Sequence, residues 1–415
     1  TTDPTDPSTT DPSTTDPTDD PTDATTDDPS TTGEPCEPGD TDGMMGMVEK
    51  SFLWVANTDQ GSIAKIDTLG VVELARYRSG PTNESGPSPS RTAVSADGRF
   101  VVVNNRATAR ITMIAANEED CSDNDNNNTI TTSQNPNDLL AWNTENDWAD
   151  ECIIWSTKLP AAFADSNAGP RAVTWNLGTW NYDTCSYEDP KIFVGYRPQP
   201  NIAEIAVLNS TTGAIEDTVV VDPWTAGDNS WGPYGAALDN EQNVWFTGLR
   251  GNLYKIDAND LSLQTWVPPG NAQFYGMTVD SQGRTWTGGC SGPVYRFDPE
   301  DESFTAVPDT NACHRGLAAD REGHIWVASN GVCGIAQIDA DTATLIQLHT
   351  LAPCTTPVGV SVDTEGFVWL VDQYEGAWKI DPLNPANKTF LPVENQHYTY
   401  SDMTGGQLRG LNPPQ

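Results

Sequence analysis

Three features of the sequence predict an all-β fold of four-stranded sheets arranged in a ring, a seven-bladed β-propeller. First, one pattern is written four times between Tyr234 and Asp381: YGAALDNEQNVWFTG, YGMTVDSQGRTWTGG, RGLAADREGHIWVAS and VGVSVDTEGFVWLVD. Each copy is followed by a strand ending in Asp: LYKID, VYRFD, IAQID and AWKID. Second, the glycines Gly235, Gly276, Gly316 and Gly359 stand 41, 40 and 43 residues apart. A period of roughly 40–45 residues holding four short strands is the size of one propeller blade. Third, an incomplete unit at the start of the repeats has its complement at the far end of the chain.

Within a unit the elements follow from period-2 alternation broken by turn residues. The first strand is small, as in GLAAD, because inner strands crowd around a central axis. A tight turn follows (NEQ, SQG, REG, TEG), then a strand carrying Trp245, Trp286, Trp326 or Trp369. The indole fills the wedge between blades, which widens outward. The third strand ends in Asp257, Asp298, Asp339 or Asp381, whose carboxylate is expected to accept backbone N–H bonds in the next turn. Recurrence in all four units marks this Asp as architecture.

Taken in order, the chain opens with residues 1–46, a Thr/Asp/Pro-rich stretch with almost no apolar residue and no Lys or Arg. Such a segment cannot bury enough surface to offset its ordering entropy and reads as an extended tether or low-complexity tail. Thr and Ser beside Pro suit O-glycosylation. Residues 47–415 hold the propeller. FLWVANT (Trp54), SIAKID (Asp67) and VVELARY supply the second, third and fourth strands of a blade with no first strand before them. QLRGL at Gln407–Leu411 matches HRGLA at His314–Ala318, so the C-terminal strand is expected to complete the N-terminal blade, three strands plus one. Blade two starts at Arg91 with an insertion of about residues 117–168; blade three starts at Arg171 with a smaller one around Trp180–Asp189. The count is seven, or six or eight if the interrupted units are parsed otherwise.

The net charge of −38, from 59 acids against 21 bases, argues against nucleic acid or an anionic membrane as partner. No apolar run has membrane-spanning length. Eight cysteines without a C-x-x-C point to disulfides and a secreted or cell-surface location. Cys121 and Cys152 bracket the blade-two insertion. Repeat position favours Cys290–Cys313 and Cys333–Cys354, with Cys313–Cys333 as the alternative. Cys36 and Cys185 remain, to pair with each other or to leave Cys36 for another molecule. Self-association through the tail into a fibre or array is one expectation from that spare cysteine.

Candidate binding residues lead the inner strands at the channel mouth: Arg409, Arg91, Arg171, Tyr234, Tyr275, Arg315 and Val358 in ring order. Arginine's planar fork suits carboxylates, phosphates and sulfates, while pairing with local carboxylates is the alternative role. Trp175, Trp180, Trp224, Trp231, Phe274 and Tyr374 are expected on loops of the same face, where a glycan could stack. Asp123, Asp125 and Asn127 occupy positions 1, 3 and 5 of an EF-hand-like loop, a candidate Ca²⁺ site, with Gln134 where Glu is wanted. No G-x-S-x-G, H-E-x-x-H or P-loop is present.

The G-x-x-x-D-x-x-G-x-x-W blade pattern with its x-I-D endings resembles the virginiamycin B lyase (streptogramin lyase) family of seven-bladed propellers. NHL-repeat and gluconolactonase-like propellers are more distant. The resemblance covers most of residues 50–415 and implies Mg²⁺-assisted elimination by His and Glu at the channel mouth, or a lactonase. The family's blades carry Glu three residues after the tryptophan. Here those slots hold Asn57, Asn104, Gly248, Gly289, Ser329 and Asp372, so the catalytic residues the resemblance implies are Asp372 with His314 and Arg315. A binding or structural module is the reading from the residues; the lyase is its rival.

Overall fold

The computed structural model describes residues 51–82, 86–160, 167–224, 231–270 and 272–406. The tail at 1–46, with Cys36, and the stretch Gln407–Leu411, with Arg409, lie outside the described residues. Seven sheets form the ring. Blade one is Phe52–Asn57, Ser62–Asp67 and Val72–Arg78; blade two is Pro89–Val94, Phe100–Asn105, Arg110–Ala115 and Ile153–Lys158. Blade three is Val173–Trp175, Lys191–Gln199, Ile202–Asn209 and Ile215–Val221. Blades four to seven are four-stranded antiparallel meanders with inner strands Gly235–Leu238, Gly276–Val279, His314–Ala319 and Pro357–Val362.

The ring closes as expected at blade one, and among the described residues it is the stretch 396–403 that does so. The segment before Gln407 runs antiparallel along Phe52–Asn57 in the empty inner slot of blade one. Asn57 bridges His397, Thr58 N donates to Gln396 O at 2.7 Å, Tyr398 N to Ala56 O at 3.1 Å, and Trp54 N to Met403 O at 2.9 Å. Tyr400–Ser401 then pairs in parallel with Arg91–Thr92 of blade two. HYTYSDM lacks the glycine that marks the inner strands of blades four to seven, so a search for the repeat passes over it.

Crowding at the axis explains the recurrent glycine. A Cβ on Gly276 would lie 2.1 Å from Arg315 O, and one on Gly359 would lie 2.4 Å from Thr399 O. Backbone meets backbone there, and no side chain fits. The second contact also places the closing segment beside blade seven.

Each repeat is pinned by an Asp six residues before its tryptophan. The indole Nε1–H of Trp245, Trp286, Trp326 and Trp369 donates to Asp239, Asp280, Asp320 and Asp363 at 2.8, 2.8, 2.7 and 2.8 Å. The other carboxylate oxygen takes two backbone N–H groups of the turn, as Glu365 N and Phe367 N do on Asp363 at 3.0 and 2.9 Å. All four tryptophans are fully buried and pack across blade boundaries, Trp245 against Met277 and Val279 and Trp326 against Val360 and Val362. The strand-ending carboxylates act as expected: Asp257, Asp298, Asp339 and Asp381 accept from Asn259, Glu300, Thr342 and Leu383 N–H.

Cys121–Cys152, Cys290–Cys313 and Cys333–Cys354 are disulfides, and Cys185 is disulfide-bonded too. The insertion of blade two is shorter than the expected 117–168, because Ile153–Lys158 within that span is the blade's fourth strand, paired with Arg110–Ile114. Its polar approach hid it. The blade-three insertion is the hairpin Thr179–Asn181 with Ser186–Glu188. No helix of the described residues is long and apolar enough to cross a membrane.

Candidate functional site

Strand direction sorts the loops. Inner strands begin at one face of the ring, here the mouth, and end at the other, where they turn into second strands. The blade-three hairpin joins first strand to second and the blade-two insertion joins third to fourth, so both open on the face opposite the mouth. Trp175 and Trp180 go with them, whereas Trp231 and Phe274 precede inner strands and Tyr374 follows a second strand, all at the mouth. The expectation that these aromatics share one face is therefore corrected: alternation of strand direction divides them.

At the mouth the structure gathers Arg91, Arg171, Tyr234, Tyr275 and Arg315 as expected and adds Arg106, Trp231, Tyr398 and Tyr400. Arg91 is the centre. Its side chain is fully buried at 0% exposure, with the guanidinium 4.3 Å from the Tyr234 ring and 4.5 Å from the Tyr400 ring. Its Nε, Nη1 and Nη2 have no hydrogen-bond partner among the described residues. Arg171 lies over Trp231 and Tyr234 at 4.7 and 5.2 Å, Arg106 over Tyr398 at 4.5 Å, and Arg315 over Tyr275 at 5.3 Å. The rings touch edge to face, Tyr234 to Tyr275 at 5.0 Å and Tyr398 to Tyr400 at 4.9 Å. Such contacts direct ring faces at the cations.

No carboxylate among the described residues forms an ion pair with Arg91, Arg106 or Arg315, whereas Arg76, Arg99, Arg110 and Arg284 each meet one. Arg106 instead donates to Ser88 O and Oγ at 3.2 and 2.8 Å, and Arg171 to Asn167 O at 2.8 Å. Burial, followed by repulsion from Arg106 and Arg91 against the opposing pull of Tyr234, brings Arg171 down to about 10. The phenols split. Burial raises Tyr234, Tyr275 and Tyr400, while for Tyr398 burial is outweighed by Arg91, by the Tyr234 and Tyr275 hydroxyls and by Arg171, which bring it down to about 8.

The residues implied by the family resemblance hold the frame. Asp372 accepts Thr355, Thr356, Tyr374 and Glu375 N–H at 2.8, 2.7, 2.9 and 3.2 Å, which shapes two loops. His314 is buried with Nε2 at 2.8 Å from Thr310 O, and burial lowers its pKa. Mg²⁺ does not suit a mouth lined by guanidinium groups whose nearest neighbours are phenols. For Ca²⁺, Asp123 and Asp125 come together with Glu151, a carboxylate from outside the expected loop, whose own twelfth position holds the amide of Gln134. Asn127 instead donates its amide to Asp125 at 2.8 Å, and backbone N–H groups occupy the Glu151 and Asp123 oxygens. On the opposite face a cleft of about 460 Å³ is lined by Phe100, Met113, Trp175, Leu177, Trp180 and Tyr187.

Arg106, Tyr398 and Tyr400 escaped the sequence reading. The alternation of Tyr398 and Tyr400, two residues apart and hence on one strand face, was the available signal.

No family model matches the sequence, and no curated relative matches it. Solved structures match the fold. Apo AztD from Citrobacter koseri is 13% identical with a TM-score of 0.49, covering 84% of this chain and 96% of that one. A catalytically inactive variant of virginiamycin B lyase from Staphylococcus aureus with quinupristin is 13% identical with a TM-score of 0.50, covering 83% and 89%. What this chain shares with that lyase structure is the seven-bladed propeller fold.

Proposed function

We propose that this chain is an anion-binding β-propeller of an oxidising compartment outside the cytoplasm. It takes a small oxyanion or carboxylate at the arginine–tyrosine cluster. One observation carries the reading: Arg91 is buried and, among the described residues, none of its three guanidinium nitrogens has a hydrogen-bond partner. A buried donor without a partner is costly and calls for an ion or water. A guanidinium is the natural receptor for a carboxylate, sulfate or phosphate oxygen pair. Three disulfides fit the compartment.

The test is calorimetric titration of sulfate, phosphate and citrate into the full chain and into Arg91→Met. Saturable binding that Arg91→Met weakens at least about tenfold supports the reading. Absence of binding by every anion, or binding indifferent to Arg91, overturns it. The metal-assisted lyase reading has less support, because the mouth's donor set suits anions. Residues 1–46 are read as a surface tether and assembly element. Native mass spectrometry with and without that segment decides between tail-dependent oligomers, which support assembly, and a monomer in both, which leaves a spacer.

A further inference from the structure

Tyr398 stands where a counter-ion to the arginines would stand. Its hydroxyl is 2.8 Å from that of Tyr234 and also within hydrogen-bonding reach of that of Tyr275. A neutral phenol has one proton and can donate to one of them, while a phenolate accepts from both. The charged and titratable groups facing it are Arg91, Arg106, Arg171, Tyr234, Tyr275 and Tyr400, with Arg315 beyond Tyr275. All the permanent charges among them are positive.

We propose that anion binding at this cluster is coupled to protonation of Tyr398: the free site holds the phenolate as its internal counter-ion, and an incoming anion displaces that charge by driving proton uptake onto the Tyr398 oxygen. The proposal rests on the anion-binding reading above. The balance is simple. One anion binds, one proton moves from solvent to Tyr398 Oη, and no bond of the ligand changes. The Tyr398 hydroxyl then donates to Tyr234, Tyr275 or the bound anion.

The lowering of Tyr398 to about 8, against the raising of its three tyrosine neighbours, fits this assignment. The sign follows from linkage. The bound state carries more protons than the free state above the free-state pKa, so affinity falls as pH rises through about 8 and levels off at lower pH. Acid loads the site and base empties it.

Sulfate serves as probe because its own charge is constant over this range. In the wild-type chain without ligand, the near-ultraviolet absorbance of tyrosinate should show one group titrating near pH 8 that is missing in Tyr398→Phe. Adding sulfate at pH about 9 should remove that absorbance, and calorimetry in buffers of different ionisation enthalpy should register uptake of about one proton. Sulfate affinity should fall about tenfold between pH about 7 and about 9 in the wild type and stay flat in Tyr398→Phe. Sulfate binding with equal affinity at both pH values and unchanged tyrosinate absorbance overturns the coupling while leaving the anion site standing. If sulfate does not bind at all and Tyr398 titrates normally, both readings fall. If Tyr398→Phe does not fold, the wild-type absorbance and proton-uptake arms decide alone.

Discussion

A charge withdrawn from water and left without hydrogen bonds destabilises the fold that buries it, so Arg91 and Tyr398 can be read as two halves of one electrostatic arrangement. Breaking a buried pair leaves an uncompensated charge, whereas replacing both partners with apolar groups of similar volume is often neutral or stabilising. Arg91→Met removes one partner only and is therefore expected to destabilise the ligand-free chain by about 3 kcal/mol above pH ~8, where Tyr398 carries its charge, and by less at lower pH, while weakening anion binding. Thermal unfolding in anion-poor buffer at pH about 7 and about 9 checks it, and unchanged stability at both would show that Arg91 and Tyr398 do not compensate each other. Tyr398 carries the same pH signature. A folded-state pKa near 8, below the unfolded value of about 10, contributes stability that is fully present above pH ~10 and lost as pH falls through ~8.

At the scale of the element, the blade is held by the Asp-to-Trp link across its first turn. One carboxylate serves an indole and two backbone N–H groups, so its removal orphans three buried or half-buried donors at once. At about 1 kcal/mol or more per orphaned donor, Asp363→Ala should cost about 3 kcal/mol in urea unfolding. A cost below about 1 kcal/mol would mean that water takes the place of the carboxylate. Trp369 is fully buried and Asp363 is 1% exposed, which leaves water little access. The same link explains why the turn tolerates NEQ, SQG, REG and TEG alike: the Asp, and not the turn's own residues, supplies the acceptor.

For the whole molecule, the ring depends on a closing segment of low sequence likeness to the strands it joins. Residues 396–403 complete blade one, stand beside Gly359 of blade seven and pair with blade two. They also carry Tyr398 and Tyr400 into the arginine cluster, so closure of the fold and completion of the site are one event. A chain ending at Val393 is expected to expose the inner edge of blade one, lose its single cooperative unfolding transition and self-associate through that edge. Calorimetry and gel filtration check this. A monomer melting as the full chain does would show that the second, third and fourth strands of blade one hold without the inner one.

The local grammar of the blades was legible in the sequence by itself: the period, the small inner strands, the tryptophan, the strand-ending Asp and the disulfides Cys290–Cys313 and Cys333–Cys354 repeat, and repetition makes each copy a witness for the others. The ring of Arg91, Arg171, Tyr234, Tyr275 and Arg315 was legible for the same reason, since these residues share one repeat position. Arg106, Tyr398 and Tyr400 have no counterparts at equivalent positions, and the strand Ile153–Lys158 followed an irregular polar stretch, so the blade repeat did not announce them. Which strand closes the ring, which face each aromatic lies on, and whether an arginine meets a carboxylate or a phenol are long-range matters. They depend on how chain segments hundreds of residues apart meet at the axis, and only the tertiary structure brings those segments together.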